Sequence, residues 1–130
     1  MRLPTLQPPS TATVTVHGKP VMVTWTAAAA RELGRRSGPL FLELELYFSC
    51  LVKKFVHFHD ALPERATVPV TDKFHLYFRA VTSTACSMDL ADRLGRQPET
   101  ELDTPAVRKL APRQVKLDFA RGQWLAAFSM

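Results

Sequence analysis

Two histidines, His57 and His59, stand two residues apart in Phe55-Val-His-Phe-His-Asp60. On a strand, residues i and i+2 project to the same side, so the two imidazoles can grip one metal ion. Such a site needs further ligands, and Asp60, His75 and Cys50 are the candidates to supply them. The same spacing also describes two side chains on a solvated strand face, continuing the polar series Glu43, Glu45 and Lys53.

Cys50 and Cys86 are the other reactive side chains, and two cysteines are too few for a secreted disulfide framework. Cys50 shares the apolar parity of its strand, where a buried thiol behaves as a small, inert hydrophobe. It also lies close to Lys53 and Lys54, at a break in the alternation. A bend there would bring the sulfur to the surface near positive charge and favour the thiolate. Cys86 precedes Ser87, the expected N-cap of a helix over 88–94, and the positive end of a helix dipole also favours a thiolate. Its plainer reading is an ordinary cysteine at a strand end. If the two cysteines meet across a sheet, one metal or redox site can draw on Cys50, Cys86, His57, His59 and His75.

Enzyme signatures are missing. The chain has no Gly-x-Ser-x-Gly, no Gly-rich phosphate loop, no His-Glu-x-x-His and no Cys-x-x-Cys. Glu43 and Glu45 are paired carboxylates, but on an exposed face with Lys and Arg partners they read as solvated charges. No catalytic residue is assigned, and no cofactor is required by the sequence.

The net charge of +5 and pI near 9.6 admit an anionic partner. Arg108, Lys109, Arg113, Lys116 and Arg121, against Asp118 alone, make the C-terminal stretch basic. Tyr77 and Phe55 offer stacking surfaces of the kind sheet-based RNA binders use. No ribonucleoprotein aromatic motif accompanies them, and Glu99-Thr-Glu-Leu-Asp103 offsets the charge locally.

The elements that must position these residues are mostly strands. Residues 1–10 hold three prolines and read as a flexible arm, leaving 11–130 as a single domain. Thr11 to His17 and Val21 to Trp25 alternate around His17-Gly-Lys-Pro20, a hairpin. Thr26 caps a short helix over Ala27–Leu33, ended by Gly34 or Gly38. Leu40, Leu42, Leu44, Leu46 and Phe48 share one parity and Glu43, Glu45 and Tyr47 the other, a half-buried strand. The interruption from Ser49 to Lys54 is either a bulge or a turn between two strands. Phe74 to Ala80 alternates again, with Lys73 and Arg79 on its polar face, suited to pairing with Glu43 and Glu45. A helix over 88–94, one or two helical turns from Thr104 to Leu110, and a last hairpin around Gly122 complete the chain. The expectation is an α+β fold: a mainly antiparallel sheet with two or three short helices in a single layer on it.

The stretch Thr26-Ala-Ala-Ala-Ala-Arg-Glu-Leu33, followed by a strand, Cys50 and another strand, faintly resembles the A-type iron–sulfur carriers. The likeness covers at most residues 24–59. That family's remaining ligands form a Cys-x-Cys pair near the C-terminus. Here Trp124-Leu-Ala-Ala-Phe-Ser-Met130 has no cysteine, and no Gly follows Cys50, so the resemblance supplies no ligand set.

No segment approaches the roughly 18 apolar residues of a membrane span, and no signal peptide is visible, so a cytoplasmic protein without a membrane partner is expected. The long amphipathic strands favour a non-catalytic binding or assembly module. Its partner is expected to be a protein, including a second copy joined by strand pairing; the metal or thiol-redox site and nucleic-acid binding are the alternatives.

Overall fold

His17-Gly18 and Arg121-Gly122 each reverse the chain in two residues. All four have positive φ, at 51°, 75°, 54° and 74° in chain order. Two successive left-handed residues make a type I′ turn, whose twist matches that of paired strands. The glycines enter this region without steric cost, whereas His17 and Arg121 do not. The turns close the hairpins β1 (Ser10–Val16) with β2 (Lys19–Trp25), and β8 (Gln114–Ala120) with β9 (Gln123–Ser129). The computed structural model describes residues 9–48, 51–83 and 99–130.

Between them lie the helix α1 (Ala27–Arg35) and five strands. These are β3 (Leu40–Phe48), β4 (Val52–His59), β5 (Val68–Thr71), β6 (Phe74–Ser83) and β7 (Glu99–Glu101). Phe48 pairs antiparallel with Val52, so two paired strands lie on either side of the break, and residues 49 and 50 fall outside the described residues. β5 and β6 form a further hairpin with a register shift between Pro69 and Thr71.

Each sheet is two hairpins joined through their inner strands. The first runs β1-β2-β8-β9 and the second β4-β3-β6-β5, with β7 pairing the far end of β6. Both joins, β2 to β8 and β3 to β6, are parallel. The sheets are therefore mixed, not mainly antiparallel as expected. Turn chemistry makes neighbouring strands antiparallel within a hairpin, but the join between hairpins is set by the core and leaves no local trace.

The two sheets face each other across one core. Leu40, Leu42, Leu44 and Leu46 of β3 and Phe74, Leu76 and Phe78 of β6 meet Val21, Val23, Val115, Leu117 and Phe128 of the first sheet. Edge-on aromatic pairs, Trp25 with Phe74 and Phe78 with Phe128, cross the gap. At the sides β1 lies against β5, and β9 against β4. Two facing sheets thus replace the expected single sheet with a layer of helices.

Among the described residues there is one α-helix, against the two or three expected. Thr26 caps it: its Oγ1 accepts from the Ala29 N–H at 3.1 Å and donates to Asp118 at 2.6 Å, tying the helix start to β8. The helix continues through Gly34 to Arg35, and the Arg36 N–H bonds the Leu33 carbonyl. Ala29 and Leu33 are buried in the core. The segment from Thr104 forms only a 3-10 turn, Val107–Lys109, with Ala106 and not the expected Thr104 at its N-cap; the Thr104 hydroxyl accepts from the Val107 N–H at 3.2 Å, and Pro112 follows. The expected helix over 88–94 and nearly all of the expected arm fall outside the described residues. Ser10, assigned to that arm, begins β1. No helix among the described residues is long and apolar enough to cross a membrane.

Candidate functional site

The outer face of the second sheet carries a charged network where a solvated face was expected. β3 is an inner strand, flanked by β4 and β6, so its outward residues Glu43 and Glu45 are ringed by side chains from both neighbours. The register sets His57 opposite Glu43 on one side, and Arg79 opposite Glu45 on the other. The glutamates are buried, their side chains 9% and 8% exposed. Their expected exposure is wrong because the neighbouring rows carry long or aromatic groups, His57, His59, Tyr77 and Arg79, that close over them.

Glu43 accepts three hydrogen bonds: from the Tyr77 hydroxyl at 2.9 Å, from His59 Nε2 at 2.9 Å and from an Arg79 amino group at 3.0 Å. A carboxylate only accepts, so the His59 proton on this contact sits on Nε2. Burial disfavours the charge on Glu43, but these three donors outweigh it and hold the carboxyl below its ordinary value of 4.5. The same geometry raises the Tyr77 phenol, first by burial and then because its proton is shared with Glu43. The same Arg79 amino group lies 3.4 Å from Glu45, and His57 Nε2 is 3.7 Å from Glu45. Arg79 Nε is buried with no hydrogen-bond partner among the described residues. Beyond Tyr77, Arg65 lies 5.2 Å over the phenol ring and forks onto Glu101 at 2.7 and 2.9 Å. The hydrogen bond from Arg65 holds Glu101 below its ordinary carboxyl value.

Chemically this is a nearly charge-balanced cluster with metal-ligand content. One ligand atom each from Glu43, Glu45 and His57 lies within 4.8 Å of the others. Arg79 already serves both carboxylates as a cation.

The sequence candidates divide as follows. His57 and His59 share the expected face, their rings 6.5 Å apart, each half-exposed and each directed at a glutamate. His75 lies apart from this group, edge-on against Phe41 and 3.3 Å from the Thr67 hydroxyl. Asp60 pairs with Arg36. Cys50 and Cys86 lie outside the described residues. Of the charge pairs expected across strands, Arg79 meets both glutamates, whereas Lys73 donates to the Arg36 carbonyl instead. Sequence reasoning did not assemble Glu43, Glu45, Tyr77, Arg79, Arg65 and Glu101 into one group. The available signal was the opposite charge of the two outward rows.

The basic residues do not form one patch. Arg108 is paired to Asp103 by two bonds. Arg113 and Arg121 flank opposite ends of β8, roughly 25 Å apart at the rise of a strand. Lys116 stands on the outer face of the first sheet between Thr24 and Ala127.

The edges of the two sheets differ. In the second sheet, edge strand β4 carries Lys53 and Lys54, β5 contains Pro69 and a register shift, and β7 is three residues long. Charges, proline and short length all discourage another strand from pairing. In the first sheet, the edges are β1, Ser-Thr-Ala-Thr-Val-Thr-Val, and β9, Gln-Trp-Leu-Ala-Ala-Phe-Ser. Neither contains a charge or a proline. The outer face of this sheet also bears an open, largely apolar cleft of about 460 Å³ beside Thr24, Lys116, Leu125 and Ala127.

Comparison with protein-family models, with curated proteins and with solved structures gave no significant match.

Proposed function

We propose that this protein is a non-catalytic binding and assembly module that adds a partner strand to an edge of its first sheet. The supporting observation is the contrast between edges. Both sides of the second sheet carry devices against strand pairing, and both sides of the first lack them. Main-chain bonds supply the affinity in such recognition, and side chains on alternate positions supply selectivity. Selection of displayed random peptides on the wild-type protein and on a Thr13→Pro/Ala126→Pro variant, which lacks an edge-facing N–H on each side, tests this. Uncharged, β-branched peptides that bind the wild type and not the variant are expected. Binders indifferent to both substitutions would overturn the reading.

A second reading is favoured by one observation, the approach of Glu43, Glu45 and His57 ligand atoms within 4.8 Å. Two carboxylates and an imidazole suit a divalent ion such as zinc. An entering ion must displace Arg79, because a guanidinium and a metal cannot both occupy the space between the carboxylates. Zinc titration followed by calorimetry therefore has a signed expectation: Arg79→Met binds more tightly than wild type. Equal or absent binding in both proteins removes the metal reading.

A further inference from the structure

The hairpin register determines which main-chain groups of β1 are not used by β2. Val16 and Lys19 close a two-residue turn, so they exchange hydrogen bonds. Alternation then makes Val14–Val21 and Ala12–Val23 bonded pairs. Thr15–Pro20, Thr13–Met22 and Thr11–Thr24 are the non-bonded pairs. Two facts agree: Pro20 has no N–H to give, and the Met22 N–H points the other way, to the Arg113 carbonyl at 3.0 Å. The N–H and C=O of Thr11, Thr13 and Thr15 therefore point away from β2, to the side where β5 of the other sheet approaches without pairing, and the three residues are exposed.

These three residues are spaced symmetrically about Thr13, in Thr11-Ala-Thr-Val-Thr15. The stretch reads nearly the same in both directions. We infer that β1 pairs with β1 of a second copy, antiparallel, across a two-fold axis at Thr13. Thr13 then faces Thr13 of the other copy, Thr11 faces Thr15 and Thr15 faces Thr11. All three are hydrogen-bonded pairs, so every open donor and acceptor of Thr11, Thr13 and Thr15 is used. The outer face gains a row of threonine pairs, a favourable cross-strand combination. The adjoining pairs set Ala12 against Val14, small against medium, and no charge meets a like charge. The two four-stranded sheets become one continuous sheet.

A two-fold axis requires this self-complementarity, because each copy presents the same patch. β9 is also uncharged, but its edge-facing residues are Trp124, Ala126 and Phe128. Its Ala126-Ala127 centre has lower strand propensity than the Thr/Val run of β1.

The inference rests on the strand-addition reading and names its partner, and the experiment separates the two. Light scattering after size exclusion, over a concentration series, is expected to show a species of twice 14.6 kDa. Thr13→Pro removes the central edge-facing N–H without removing a bond inside the hairpin, and Thr13→Lys sets two cations face to face at the axis. Each is expected to raise the dissociation constant about tenfold or more. Thr24→Lys, on the same face but one strand in, is expected to leave the dimer intact. The register has its own readout. Thr13→Cys alone is expected to cross-link on mild oxidation, because only position 13 meets itself; Thr11→Cys and Thr15→Cys alone are not. A strict monomer overturns the self-pairing and leaves strand addition to another partner standing. A dimer that survives Thr13→Pro and Thr13→Lys but fails with Ala126→Pro, which removes an edge-facing N–H of β9, moves the interface to β9 and overturns the inference.

Discussion

Replacing Arg79 by methionine removes the guanidinium shared by Glu43 and Glu45 and keeps an unbranched, shorter stem. The Glu43 contact at 3.0 Å is a charge-assisted bond, worth about 1.5–3 kcal/mol. The Glu45 contact at 3.4 Å is long and adds little by itself. The larger effect is that two carboxylates, each more than nine-tenths buried, are left side by side without their cation. Breaking a buried pair from one side costs about 3–5 kcal/mol. Arg79 is 23% exposed, so water reaches the site and the expectation falls to about 2–4 kcal/mol at neutral pH. Protonating a stranded carboxylate relieves its charge, so the cost must shrink toward about pH 4.5. Urea unfolding of wild type and Arg79→Met at about pH 7.5 and 4.5, followed by tryptophan fluorescence, measures both quantities. A loss under about 0.5 kcal/mol at neutral pH, or one that is equal at both pH values, refutes the claim that Arg79 balances the buried glutamates.

Three further outcomes follow from the same structure. Thr26→Ala removes the helix cap and the tie to Asp118 together, and is expected to cost about 1–2 kcal/mol in chemical denaturation. Gly122→Val forces a branched residue into φ +74° with open space around it, so backbone strain alone should lower stability, by about 1–2 kcal/mol. Acid unfolding of the wild type should begin below the ordinary carboxyl value of 4.5. Glu43 and Glu101 are held below that value in the fold, so their contribution is complete above it and is lost as pH falls through their folded pKa values. Stability that stays level well below this range contradicts the Glu43 and Glu101 assignments.

Much of the local structure was legible in the sequence. The glycines at 18 and 122 marked both two-residue turns, Thr26 marked the helix start, and Leu40 to Leu46 marked a core row. Turn and cap chemistry act over a few residues, so they leave a local imprint. The join of β2 to β8 and the parallel direction of both joins were not legible, because they bring together strands distant in sequence. The burial of Glu43 and Glu45 was misread for a related reason. Parity tells which residues share a face, but not whether the neighbouring rows leave that face open. The opposite charges of Glu45 and Arg79 did indicate a pairing, although His59 and Tyr77 entered the cluster only through the register of β4 and β6.

The parallel join of β2 to β8 also has a consequence during synthesis. Met22 pairs with Gln114, about ninety residues later, so the first hairpin is made long before its sheet can be completed. At usual rates of translation the interval is roughly 5–18 s. For that time β2, like β1, has an unpaired side, and the apolar row of Val21 and Val23 has no Val115 or Leu117 beside it. The C-terminal hairpin therefore acts as the closing piece of the fold. Removing residues 114–130 would strip the inner partner from β2, leaving a two-stranded ribbon too small to hold its own half of the core.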